Sequence, residues 1–138
     1  MAKKEIINKK RARDSAIMPE HNLKNIEKIV KALADKNRIR IIYLIKAKQV
    51  LCVCEITYII GLSQPTISSH LKLLENAGLI ESHKDGLWVN YNISSQLDPA
   101  SSGYIEIIYK NLEKDKQIVS DLKKLKNINR AMICRKKA

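Results

Sequence analysis

The stretch that most constrains the fold is LSQPTISSHLKLLENAGLI, residues 62–80, followed at once by ESHKDGLWVNYNI. Ser63 is a good N-cap, and Pro65 falls in the first helical turn, where its missing N–H costs nothing. Ile67, Leu71 and Leu74 recur at helical spacing as a buried face, and Gly78 closes the helix. Ser69 and Lys72 point the other way, with Gln64, Thr66 and Ser68 clustered at the exposed N-terminal end. Short hydrogen-bonding side chains with few charges suit a surface that reads base edges. Asp85-Gly86 then marks a hairpin turn, with Leu87, Val89, Tyr91 and Ile93 alternating as one strand face.

Upstream, the apolar period predicts three shorter helices. Asn22 caps the first, with Leu23, Ile26, Val30 and Leu33 on one face. The second starts after Asp35 or Asn37 and carries Ile39, Ile42 and Ile45. The third covers about residues 53–60, with Val53, Ile56 and Ile60, and ends at Gly61. Three short helices, a capped reading helix and a hairpin describe a winged helix-turn-helix, mainly α with a small β-hairpin. After Asp98-Pro99 one long helix is expected from about Ser102 to Leu125. Its stripe of Ile105, Ile108, Leu112, Val119, Leu122 and Leu125 has no partner left in so small a domain, so pairing with a second chain is the economical way to bury it. The expected organisation is a basic arm over 1–20, the DNA-binding domain over 21–98, a dimerisation helix over 99–127 and a basic tail over 128–138.

Charge fits this layout. The net +12 lies at the two ends. Residues 1–13 hold six Lys/Arg against one Glu, residues 114–138 nine against two Asp, and the stretch between holds eleven of each sign. Solvated tails and phosphate-binding arms are both compatible with that pattern. No apolar run approaches the roughly 20 residues of a membrane span, so no membrane partner is expected. The N-terminus has charge but no following apolar stretch, unlike a secretory signal. Three cysteines without such a signal point to free thiols in a reducing cytoplasm. An enzyme is not expected: there is no CxxC beside a βαβ pattern, no Ser/His/Asp set, and four glycines leave little room for a phosphate loop.

Two of the cysteines lie in VLCVCEI, residues 50–56. Cys52 and Cys54 could be small core residues, a redox pair, or ligands for a soft metal or metalloid. A helix N-terminus would favour their thiolates. In an ideal helix residues i and i+2 diverge by about 200°. Both sulfurs therefore meet one ion only if the first turn is distorted, and a Cys52–Cys54 disulfide would be a strained ring.

Taken together, these residues resemble the ArsR/SmtB family of metal-responsive transcriptional repressors, from about Ile29 to Ile93. KALADKNRIRIIYLI is similar to the family's second-helix segment, with Lys36 and Asn37 where Pro and Thr are usual. LSQPTISSHLKLLENAGLI is close to its recognition-helix signature, KDGLWVNYNI to its wing, and LCVCEI to the metal box of arsenic-, cadmium- and lead-sensing members. The resemblance implies a homodimer on double-stranded operator DNA. The fourth helix would lie in the major groove, and an inducer such as arsenite, antimonite, Cd²⁺ or Pb²⁺ would release it. Carried over, Gln64, Thr66, Ser68, Ser69, Lys72 and the wing's Lys84 are the DNA contacts, and Cys52 and Cys54 the inducer ligands. His70 reads as a packing or phosphate-contact residue.

The chain departs from the family where Ser69 replaces a common Arg, where the wing offers only Lys84 beside Asp85, and where Thr57 replaces a frequent third Cys. Cys134 is at most an accessory ligand. The family's alternative zinc site on the C-terminal helix lacks imidazoles here, since no His follows residue 83. A thiol-redox-responsive or effector-independent regulator of the same fold is the alternative.

Overall fold

The computed structural model describes residues 22–133, so the basic arm and Cys134 lie outside the described part. Helix α1 spans Leu23–Leu33 and α2 Lys36–Lys48. Strand β1 is Leu51–Cys52, α3 is Val53–Ile60 and α4 is Gln64–Asn76. Strands β2 and β3 cover Ile80–Asp85 and Trp88–Ile93. Helices α5, α6 and α7 cover Pro99–Asn111, Lys116–Asn127 and Arg130–Ile133.

Each of the first helices starts on a side chain that satisfies otherwise orphaned amides. Asn22 Oδ1 accepts from Asn25 N at 2.9 Å. Asp35 Oδ1 accepts from Asn37 N and Arg38 N at 2.8 and 3.0 Å. That places the start of α2 after Asp35. Burial alone would raise the Asp35 carboxyl, but the two amides hold it below its usual 3.8. Helix α2 is the centre of the molecule, with Ile41, Ile42, Leu44 and Ile45 fully buried and α1, α3, α4, α5 and α6 around it. Its middle, from Ile41 to Ile45, is buried all round, whereas the expected stripe of Ile39, Ile42 and Ile45 named one face and included the half-buried Ile39. On α1 the face is rotated: Ile29 and Ala32 enter the core, while Leu23 and Val30 are 87% and 49% exposed.

The wing is one strand larger than a hairpin. The sheet order is β1-β3-β2, all antiparallel, with Leu51 opposite Tyr91 and Cys52 opposite Asn90. In the hairpin, Asp85 pairs with Trp88, so the two loop residues are Gly86 and Leu87 rather than Asp85 and Gly86. Gly86 takes φ +63°, which glycine adopts without steric cost as the first loop residue, and Leu87 is 75% exposed at the tip instead of lying on the strand face.

The single C-terminal helix does not form. Asp98 caps α5 through Ser101 N at 2.7 Å, but α5 stops at Asn111 and Asp115 starts α6 by accepting from Gln117 N and Ile118 N. A good N-cap inside the expected helix restarts it in a new phase. Ile118, Asp121 and Leu125 turn inward, and Val119 is exposed. Much of the stripe thereby finds its partner within the same chain: Ile105 and Leu125 belong to the main core, and Leu122 packs against it. Asp121, fully buried, takes two hydrogen bonds from Arg40 (2.8 and 2.9 Å) and one from Gln117, fastening α6 to α2.

Candidate DNA-reading surface and thiol site

Helix α4 presents the face read from its sequence. Ile67, Leu71 and Leu74 are fully buried beneath it. Thr66, Ser68, Ser69 and Lys72 are exposed, and Gln64 in the first turn is half-buried. Ser63 Oγ lies 2.9 Å from Thr66 Oγ1, so the cap also orients one of the candidate contacts. His70 is half-buried with Nδ1 3.1 Å from Arg38 Nη1. Arg38 also donates to the carbonyls of Ala32 and Lys31 at 2.6 and 3.3 Å. The pair thus ties α4 to the α1–α2 corner. On the wing, Lys84 is exposed next to Asp85, and Ser82 Oγ donates to Glu75 Oε2 at 2.8 Å, linking β2 to α4.

The two cysteines are brought into one cluster. Cys52 is fully buried and Cys54 8% exposed, packed with Val53, Trp88 and Ile133. Cys52 has extended dihedrals (φ −89°, ψ 162°) as both the last residue of β1 and the N-cap of α3. The divergence of two helical residues therefore does not govern this pair, because only Cys54 is helical. Cys52 N donates to Glu55 Oε1 at 2.9 Å. Glu55, 5% exposed, would be a costly unpaired charge without a partner. Arg130 of α7 supplies one: its Nη2 donates to Glu55 Oε1 at 3.1 Å and to Asn90 Oδ1 at 3.0 Å. Its guanidinium carbon lies 4.7 Å from the centroid of the Trp88 ring. Part of the expected basic tail is therefore a folded element, docked on α3 and the wing.

Thr57, one turn further along α3, donates its hydroxyl to Val53 O at 2.7 Å. Among the described residues no group of three His, Cys, Asp or Glu side chains is placed to hold a metal ion. The cluster offers two soft donors, and the carboxylate beside them, Glu55, is taken up by Cys52 N and Arg130. Sequence reasoning missed Glu55, Asn90 and Arg130. Glu55 had a signal, since a carboxylate three residues after an N-cap is the capping-box spacing. Arg130, 75 residues further along, had none.

A family model described as "Bacterial regulatory protein, arsR family" matches residues 35–82. The arsenical resistance operon repressor of Escherichia coli (strain K12) is 36% identical over 95 residues, which is 68% of this chain and 81% of that protein. The cadmium resistance transcriptional regulatory protein CadC homolog of Staphylococcus aureus is 35% identical over 79 residues, 57% of this chain and 65% of that protein. The chain thus spans just under two thirds of the CadC homolog's length. Among solved structures, a homodimeric winged helix-turn-helix DNA-binding domain from Mycobacterium bovis superposes with a TM-score of 0.56 at 22% identity, covering 72% of this chain and 94% of that one, a likeness of fold alone. With a winged helix-turn-helix fold and a match across most of the E. coli repressor, the chain belongs to the arsR family of bacterial regulatory proteins, which are DNA-binding transcriptional regulators and not enzymes.

Proposed function

We propose that this chain is a homodimeric repressor that binds double-stranded operator DNA through α4 and the wing. A thiophilic metalloid or soft metal ion held by Cys52 and Cys54 releases it. Arsenite, antimonite, Cd²⁺ and Pb²⁺ are the inducers that two buried thiols favour. The E. coli and S. aureus relatives, named for arsenical and cadmium resistance, point the same way.

The single observation that carries the reading is the position of Cys52. It ends the strand paired with Asn90 of the wing and caps the helix that leads through Gly61 into α4. An ion that pulls Cys52 and Cys54 together perturbs both DNA-contacting elements from one point. The wing's charge is slight, so Gln64, Thr66, Ser68, Ser69 and Lys72 would give specificity, with Lys84 and the basic ends gripping phosphates. Dimerisation is supported by apolar side chains left outward on α1, α5 and α6: Leu23, Val30, Ile107 and Val119. The M. bovis domain with the same fold is itself homodimeric.

Operator binding titrated with arsenite, antimonite, Cd²⁺, Pb²⁺, Zn²⁺ and a disulfide oxidant tests this. Release by the soft ions, abolished in Cys52→Ser/Cys54→Ser, is the expected result. Release of the double variant by arsenite would refute the site. Release by the oxidant alone would make the chain a thiol-redox regulator.

A further inference from the structure

The two thiols of the cluster are shut away from water, with Cys52 fully buried and Cys54 only 8% exposed. A soft ion that binds both has to reach them, so part of their cover must move. Val53, Trp88 and Ile133 are the apolar side chains packed around them. Two of these sit on firmly tied elements. Val53 begins α3, whose Ile56 and Ile59 are fully buried in the main core. Trp88 begins β3, which antiparallel ladders hold between β1 and β2.

Ile133 is held differently. It ends α7, a helix of four residues that turns back onto α3. Arg130 at the other end of α7 anchors it, through Glu55 of α3, Asn90 of β3 and the face of Trp88. The Arg130 side chain is 24% exposed, so water competes for these bonds at the edge of the cluster. A short element with few buried apolar side chains and wetted bonds is the kind that opens locally, at a free energy far below that of global unfolding.

We propose that α7 is a lid on the thiol pair. Closed, it lays Ile133 against Cys52 and Cys54; a soft ion enters only after Arg130 leaves Glu55 and Asn90 and α7 lifts. This rests on the assignment of the pair as the inducer ligands and adds a gating step before it. An ion that binds only the open form has its apparent affinity lowered by the open fraction, so the grip of Arg130 sets the concentration at which the protein responds. Lifting the lid also releases Asn90, the wing residue directly opposite Cys52 in the β1–β3 ladder. Entry of the ion and loosening of the wing therefore begin in one motion.

Alkylation of the full chain by iodoacetamide, with mass spectrometry of the peptide that carries Cys52 and Cys54, measures opening without any inducer. Each thiolate displaces iodide and forms one S–C bond. Ile133→Ala trims the cover without stranding the Glu55 charge, and Arg130→Ala removes the anchor. Both should label faster than the wild type. For Arg130→Ala the gain should be about 10–100-fold, the effect of one charge-assisted hydrogen bond on an opening equilibrium. Lifting α7 exposes little surface, so these rates should stay nearly flat at low urea, whereas labelling through global unfolding climbs steeply with urea. Ile59→Ala weakens the main core and should keep the wild-type rate at low urea. Arsenite association, followed by the fluorescence of Trp88, the chain's single tryptophan, should quicken in Ile133→Ala as its labelling does. Equal labelling in the wild type and both lid variants, or a steep urea dependence in all three, would overturn the lid and leave the pair assignment standing. Fast, urea-independent labelling of the lid variants that arsenite fails to slow would uphold the lid and remove the pair as the inducer site.

Discussion

Replacing Arg130 by alanine removes a cation from a carboxylate that the fold has almost fully buried. The Glu55 side chain is 7% exposed and that of Arg130 24%, so the pair is dry on one side and wetted on the other. Breaking a buried pair by removing one partner costs about 3–5 kcal/mol, because the remaining charge stays desolvated. Water can reach the space Arg130 leaves, which favours the lower end, about 3 kcal/mol. Losing the contact with Trp88 adds about 0.5–1 kcal/mol. At about 2.1 cal/mol/K per residue, an unfolding entropy for a chain of this length converts 3 kcal/mol into a Tm lower by about 10 °C. Urea unfolding followed by Trp88 fluorescence, at fixed protomer concentration because a dimer's stability depends on it, measures the loss. Glu55→Gln/Arg130→Ala should be less destabilised than Arg130→Ala alone, since no charge is left stranded. A loss below about 0.5 kcal/mol for Arg130→Ala would mean that the pair behaves as an ordinary surface contact and that α7 is not held as described.

Asp35→Ala should destabilise by about 1 kcal/mol through loss of the α2 cap, read by thermal unfolding. Because the amides of Arg38 and Asn37 hold the Asp35 carboxyl below 3.8, its stabilising effect is present above that pH and fades as pH falls through the lower, folded value. The variant's deficit should therefore shrink only in strong acid, and a deficit that grows below pH 3.8 would contradict this. Asp121→Ala should be among the most damaging polar substitutions, at about 3–5 kcal/mol, since it leaves Arg40 reaching into a dry site. In DNA titrations Gln64→Ala should weaken operator binding more than random-sequence binding. Lys84→Ala should weaken both alike and reduce the slope of log K against log salt by about 0.9.

What the sequence revealed and what it hid divide along range of interaction. Ser63, Pro65, Ile67, Leu71, Leu74 and Gly78 act on neighbours within a few residues, and the bounds and buried face of α4 follow from them. Asn22, Asp35 and Gly61 punctuate the first helices for the same reason. The misjudged faces depend on what lies opposite: Val30 and Ile29 are equally apolar in a helix, and only the packing of α1 on α2 and α4 puts Ile29 inward. The C-terminal helix was misread because its hydrophobic period outweighed Asp115, a cap whose local signal was visible. Strand β1 is two residues long and exists only because β3 presents Asn90 and Tyr91 to it. At the thiol site the cysteines were legible as a motif, whereas the Arg130 contacts join residues 40 and 75 positions apart and leave no periodic trace.

That hidden part bears on how an inducer could work at all. A ligand shifts a two-state equilibrium only by the difference in its affinity for the two states, and moving it from 1:99 to 99:1 takes about 5.5 kcal/mol of difference. An ion bound equally well by DNA-competent and DNA-incompetent forms would change nothing. The described fold has a definite thiol geometry, because Cys52 is fixed by the β1–β3 ladder and by Glu55, while Cys54 turns with α3. If closing both sulfurs on one ion strains that ladder or the first turn of α3, the strain is itself the difference in affinity between the forms. On the proposed reading, the same restraints that hold Cys52 are the ones that would give ion binding leverage on the wing. Loosening them should uncouple binding from release. Glu55→Gln keeps an acceptor for Cys52 N but weakens the hold of Arg130, so it should bind arsenite at least as tightly as the wild type while requiring more of it, relative to its Kd, to leave the operator. Equal ratios in the two proteins would show that Glu55 takes no part in transmission.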